Sequence, residues 1–259
     1  MIESLYIAET GMSSQQKLIE VISNNIANSS TTAYKKTQLN FVDLVYQQDV
    51  IADSNDGTIN QANSHGVGVK VSTDTKDFSV GELKQTGNPF DVAIQGSGFI
   101  EVQMENGDTA YTRAGRLRLN SDGYLVSSHG YVLSASIQLP PDASDMAISN
   151  RGVVTALIGS TGERIELGQI ELTNFTNPEG LKVLGSNLYS GSEKSGNVLY
   201  GLPGEMGLGE LLQGMTEVSN VSMTEEMVNL MLAQRGYQLN ARIIQVSDQL
   251  LDTINNLRR

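Results

Sequence analysis

Cysteine and histidine carry most of the nucleophilic and transition-metal chemistry of side chains, and this chain has no cysteine and two histidines. A Cys–His pair is therefore impossible. His65 and His129 each lack a partner at HxxxH or HExxH spacing, so a zinc site has no ligand set, and His129-Gly130 reads as a turn. The chain has 29 acids, so paired carboxylates of the kind that cleave glycosides are available. None stands out from a solvated acidic surface. Gly66-Val67-Gly68 and Gly96-Ser97-Gly98 are each followed by β-like residues rather than a helix; neither completes a GxGxxG or a P-loop, and tight turns account for them. The sequence marks no catalytic, cofactor-binding or metal-binding residue.

The strongest pattern lies in the elements at the two ends. Leu5, Met12, Ile19 and Ile26 repeat every seven residues, with Ala8, Gln15 and Ile22 on the alternate three- and four-residue steps. Met223, Leu230, Tyr237, Ile244 and Leu251 repeat in the same way, with Gln234 and Asp248 as polar interruptions. A seven-residue apolar repeat is a helix-to-helix seam. The spacing predicts helices over 2–28 and 221–257, about 40 and 55 Å long at ~1.5 Å per residue. Ser222 followed by Glu225 is a capping box for the second. Leu18 and Val21 widen the first apolar face, and a helix apolar on more than one side needs more than one neighbour. Periodicity alone leaves two outcomes open: the helices pack as an ordinary core, or they pack against other copies.

Charge divides the chain in the same places. The net charge is −12, which disfavours a nucleic-acid partner bound through phosphates. Residues 1–36 are balanced and 216–259 nearly so, leaving the middle with 21 acids and 10 bases. Near-neutral ends can pack against identical copies, while the middle presents a solvated acidic surface. The opening MIESLYIAETGM lacks the basic and continuously apolar regions of a signal peptide. No apolar run is long enough to span a membrane as a helix.

Between the helices, FVDLVYQ is a short apolar patch, and 49–68 is polar and expected as an extended loop or flap. From 76 to 215 strand and turn signals dominate. Asn106-Gly107 and Asp122-Gly123 each separate β-like runs, as hairpins do. Pro140-Pro141 breaks a run, and GVVTALI and QIELTNF supply further strands. The expected fold class is α+β: long N- and C-terminal helices forming a coiled-coil-like inner domain, with a β-rich, turn-rich middle domain. The expected divisions are 1–36, a linker or flap at 37–75, the β domain at 76–215, and 216–259.

The segment MIESLYIAETGMSSQQKLIEVISNNIANSSTTAYKK resembles the start of the bacterial flagellar rod and hook axial proteins, which share an NN-x-AN segment, a Thr-rich turn, then an aromatic and a lysine. Here these are Asn24, Asn25, Ala27, Asn28, Thr31, Tyr34 and Lys35. DVAIQGSGFIEV, YTRAGRLRLNSDGYLV, FTNPEGLKVLGSNLY and SNVSMTEEMVNLMLAQRGYQLNARIIQVSDQLL extend the resemblance over most of the chain. Ala33 stands where that family generally has Gly, and Gly236 where it has Ala.

The resemblance implies a structural subunit rather than an enzyme, without cofactor, polymerising helically into a torque-transmitting hollow shaft. The distal rod is the expected place, with proximal rod or hook as alternatives. Leu5, Ala8, Met12, Ile19, Ile22, Ile26, Leu230, Tyr237, Ile244 and Leu251 are the expected subunit-packing residues. The implied partners are further copies, proximal rod proteins, the hook protein or its junction, the ring bushings of the peptidoglycan layer and outer membrane, and the rod cap. It also implies export through the flagellar type III apparatus without a cleavable signal peptide. Nucleic-acid binding and membrane insertion are not implied.

Overall fold

The computed structural model describes residues 2–47, 64–159 and 162–257. The chain forms two compact units, one from 1–27, 37–75 and 222–259, the other from 28–36 and 76–221. The chain passes between the two units at 27/28, 36/37, 75/76 and 221/222. Residues 28–36 and 216–221 belong to the β unit because their hydrogen bonds run there, as described below.

In the helical unit, α1 (Ile2–Ala27) and α2 (Met223–Leu257) pack on each other. Gly11 lies against Asn240 and Gly236 against Gln15, which fixes an antiparallel register. Ser222 caps α2, its hydroxyl accepting from Glu225 N–H at 3.5 Å. Along α1 the heptad positions are covered to differing degrees. Ala8 and Ile22 are buried, and Leu5, Met12, Ile19 and Ile26 are half-buried. Along α2 the seam is Glu226, Leu230, Ala233, Asn240, Ile244 and Ser247. Tyr237 and Leu251 are exposed in the single copy, for a steric and a geometric reason. Helices approach closely where small side chains meet, so Ala233 and Gly236 take the place expected for Tyr237. Leu251 lies beyond the start of α1.

The segment 37–75, expected as a linker, contains two paired strands, Thr37–Gln47 and Ser64–Lys76. β-branched and aromatic residues in TQLNFVDLVYQ favour this pairing, although charge and amides on both faces hide the alternation. Most of the flap expected at 49–68 lies outside the described residues. Asn25 ties the first strand to α1, donating to Thr37 O and accepting from Thr37 N, both at 3.0 Å. The second strand passes α1 at Gly68, where an added Cβ would sit 2.3 Å from the Thr10 hydroxyl.

The β unit holds a nine-stranded sheet, a three-stranded sheet and two short two-stranded ones. Both predicted hairpins form. Phe99–Gln103 pairs with Thr109–Thr112 around Asn106-Gly107, and Leu117–Leu119 with Leu125–Ser127 around Asp122-Gly123. Gly107 and Gly123 take φ of 85° and 81°, which glycine adopts without strain. QIELTNF is divided. Arg164–Gln169 completes the three-stranded sheet, and Leu172–Phe175 joins the nine-stranded one. An aliphatic core (including Val92, Ile100, Leu125, Leu172 and Leu211) lies beside a ring cluster of Phe99, Tyr111, Phe175 and Tyr189. The rings meet edge to face, Tyr111 and Phe175 at 4.9 Å between centroids.

Gly115 is the tightest point of this unit, since a Cβ there would lie 1.5 Å from Val92 O. Because the obstacle is backbone, Gly115→Ala is expected to cost at least the ~3 kcal/mol upper range of overpacking. Gly191→Ala, whose Cβ meets Phe175 at an ordinary 3.8 Å, serves as the control. Urea midpoints of the two variants check the difference.

Candidate functional site

Two arrangements stand out, one in each unit. In the helical unit, α2 has three faces about 120° apart at 100° per residue. One is the seam with α1. A second carries Val228, Leu232, Leu239, Ile243, Val246, Leu250 and Ile254, each 46% to 63% exposed. Steps of three, four and seven keep these seven residues on one line. The third is rich in amides, Gln234, Gln238, Gln245, Gln249 and Asn256, all exposed. Met223, Met227 and Met231 are also exposed near the start of the helix. Contiguous exposed apolar surface of this kind is uncommon on monomers and characteristic of interaction sites.

In the β unit, segment 28–36 is clamped at several points. Thr31 N–H donates to Asn28 O at 3.0 Å, turning the chain out of the helix. Asn187 donates to Thr32 O at 2.9 Å. Ala33 N–H donates to Glu217 O at 2.8 Å, and Asn220 Oδ1 accepts from Lys36 N–H at 2.8 Å. Tyr34 is buried beneath Lys76, whose Nζ lies 4.5 Å from the ring centroid. Ala33, where a glycine was expected, keeps φ of 57°. The left-handed turn survives the change of residue at a cost of roughly 1–2 kcal/mol.

Beneath this segment lies a buried ionic group. Lys35, Arg113 and Glu217 are each 2% exposed or less. Glu217 accepts from Lys35 Nζ at 2.7 Å, from Gly81 N–H at 2.8 Å and from Arg113 Nε at 3.0 Å. Lys35 Nζ also donates to Ser79 O. The rest of the Arg113 fork donates to Gly98 O at 3.0 Å and Gly96 O at 2.8 Å. Gly96 and Gly98 have φ of 127° and 134°. The Gly-Ser-Gly run thus turns carbonyl oxygens onto a guanidinium, rather than N–H groups onto a phosphate. Two cations share one anion. Burial lowers the Lys35 pKa from 10.5, Arg113 beside it lowers it further, and Glu217 opposes both. Burial likewise raises that of Tyr189.

The structure distributes the expected motif residues between the units. Asn24, Asn25 and Ala27 end α1, with Asn25 buried and Asn24 and Ala27 exposed. Asn28, Thr31, Tyr34 and Lys35 form the clamped segment. Sequence reasoning missed Arg113, Glu217, Asn187 and Asn220. The one available signal for Arg113 is a cation inside the otherwise uncharged run Thr109–Ala114. His129 is exposed beside Ser128 in the expected turn; His65 falls in the strand Ser64–Lys76.

The chain matches three family descriptions in order: flagella basal body rod protein over 5–35, flagellar hook protein FlgE/F/G D1 domain over 93–156, and flagellar basal body rod FlgEFG protein C-terminal over 212–257. It is 40% identical to the flagellar basal-body rod protein FlgG of Borreliella burgdorferi, covering all of both chains. It is 38% identical, again over all of both chains, to FlgG of Bacillus subtilis. Against the flagellar hook-basal body complex protein FlhP of Bacillus subtilis the identity is 30%, over the full length of each. The chain belongs to the flagellar rod and hook protein family.

Proposed function

We propose that this chain is a structural subunit of the distal rod of the flagellar basal body, polymerising helically into the shaft between motor and hook. The free apolar line on α2 carries the reading. Fully burying a large apolar side chain stabilises by ~1.5–3 kcal/mol, and seven such residues along one helix offer a second copy a continuous surface. The polymer is built by the helical unit: the heptad residues join α1 to α2 within one copy, and the free α2 line, with the exposed heptad members Tyr237 and Leu251, meets the next. The β unit, with its acidic surface, faces outward towards the bushings of the peptidoglycan and outer-membrane rings. The amide face of α2 is left to solvent inside the shaft. The role is mechanical rather than enzymatic. Full-length similarity to FlgG supports the distal rod over the proximal rod and hook.

Electron microscopy of the concentrated full chain, beside a copy lacking residues 1–27, tests this. Straight rods from the full chain alone are the expected result. Assembly of the shortened copy, or a full chain that stays monomeric even when seeded with isolated rod, would overturn it.

A further inference from the structure

Among the described residues, the nine-stranded sheet has edge strands that pair on one side only, and one of these edges is unprotected. Edge strands invite pairing with another chain unless charge, proline or a bulge blunts them. The edge at Lys182–Gly185 carries Lys182 and a register shift between Val183 and Gly185. The edge at Leu117–Leu119 presents Arg118 to solvent. Val198–Gly201 has none of these devices. It pairs only with Leu172–Phe175, in unbroken register from Leu172 opposite Gly201 to Phe175 opposite Val198. Leu199 and Tyr200 on it are 57% and 55% exposed.

A cavity opens beside this strand because the sheet forks. Phe99–Gln103 is paired along one side by Thr109–Thr112. Its other side is shared: Val132–Leu133 takes Val102 and Gln103, and Leu172–Phe175 takes Phe99 and Ile100. Glu101 falls where the two diverge. The resulting cavity is about 370 Å³, and Glu101, Ser134, Gln169, Glu171 and Tyr200 line it, with no cation among its described lining residues. Glu101 Oε1 accepts from the Ser134 hydroxyl at 2.9 Å, while Oε2 is buried with no donor in hydrogen-bond geometry. Tyr200, Thr173, Phe99 and Glu101 share one face of the sheet, because each is directly opposite the next or two residues from it along a strand. A strand added outside Val198–Gly201 would lie about 5 Å from it and about 10 Å from Leu172–Phe175. A long basic side chain on that face then reaches the cavity over Tyr200.

We infer that the Val198–Gly201 edge docks an extended segment of a different protein, added as a further strand, whose lysine or arginine enters the cavity at Glu101 and Glu171. Backbone pairing supplies the affinity, and the acid-lined cavity supplies the selection. Charge decides the kind of partner. The chain carries −12, which draws in a basic segment and repels an acidic one. A second copy does not meet the requirement. The stretch 197–203 has no basic residue, so two copies joined at this edge bring no cation to either cavity. The register shift at Val183 and Gly185 interrupts the ladder on the edge that carries Lys182. The inference is independent of the self-assembly reading, since this edge belongs to the β unit and the free apolar line to the helical one.

Labelled heptapeptides in which valine alternates with lysine or arginine, titrated against the dilute full chain by fluorescence anisotropy, test this, with valine–glutamate peptides as controls. Saturable binding of the basic peptides is expected. It is expected to weaken at least about tenfold for the acidic peptides, for Leu199→Lys and for Glu101→Gln/Glu171→Gln, the scale of a lost charge-assisted contact. Leu199 is exposed, so the urea midpoint of Leu199→Lys is expected to match that of the unaltered chain. Bound peptide is expected to slow amide exchange at Leu199 and Tyr200. Equal binding by all three chains, protection confined to other strands, or no binding at millimolar peptide would overturn the docking. So would a raised assembly threshold in Leu199→Lys without peptide binding by the unaltered chain, which would assign the edge to a second copy.

Discussion

Glu217→Gln is expected to destabilise the β unit by about 3–5 kcal/mol, the range for breaking a buried ion pair by removing one partner. Glutamine keeps the shape and the Gly81 contact but leaves Lys35 and Arg113 as buried cations without an anion. Lys35→Met is expected to cost less, about 1–3 kcal/mol for the orphaned acceptors, because Arg113 and Glu217 remain as a balanced pair. If the group were merely packing material, the larger change in side-chain chemistry at Lys35 would dominate instead. Urea titrations followed by near-ultraviolet circular dichroism of the Phe99–Tyr189 ring cluster distinguish these orders. The pH dependence follows from the same charges. Lys35 has a lower pKa folded than unfolded, so between those values the unfolded chain binds more protons and stability rises with pH. The Lys35 contribution to that rise, ending near 10.5, is expected to vanish in Lys35→Met. An unchanged slope there would show that Lys35 does not titrate as its burial demands.

Leu239→Glu with Ile243→Glu is expected to raise the concentration needed for polymerisation by at least about a hundredfold. Two side chains withdrawn from an interface forfeit roughly 3–6 kcal/mol, and each ~1.4 kcal/mol is tenfold. Both residues lie on the exposed line of α2, so the melting of the monomer is expected to stay the same. Gln238→Glu, on the amide face, is expected to change the assembly threshold far less. Sedimentation of assembled material across a concentration series separates the cases. Equal loss in both variants would mean that the amide face is also an interface.

Periodic elements were legible in the sequence because their signals are local. Ala8 and Ile22 repeat with the helix, Ser222 caps it, and Gly107 and Gly123 mark turns that demand positive φ. The α2 seam was half-visible. Leu230 and Ile244 follow the heptad, but Ala233 and Ser247 are too small or polar to register as apolar positions. Strands around Phe41 were obscured by polar residues on both faces. The ionic group was out of reach: Lys35 and Glu217 are 182 positions apart, and Arg113 is 104 from Glu217. No local pattern joins residues at such separations. The same long-range bonds explain why segment 28–36 folds with the strands rather than with the helix that precedes it.

The antiparallel register has a consequence for how the chain accommodates change. Ala27, Thr37 and Ser222 all fall at one end of the helical pair, since Asn25 binds Thr37 and the register brings the start of α2 beside the end of α1. The β unit is therefore a cassette spliced into the helical hairpin at a single end. Its loops can lengthen or shorten without shifting a residue of the α1–α2 seam or of the free α2 line. Sequence change in one unit is thereby uncoupled from the packing of the other.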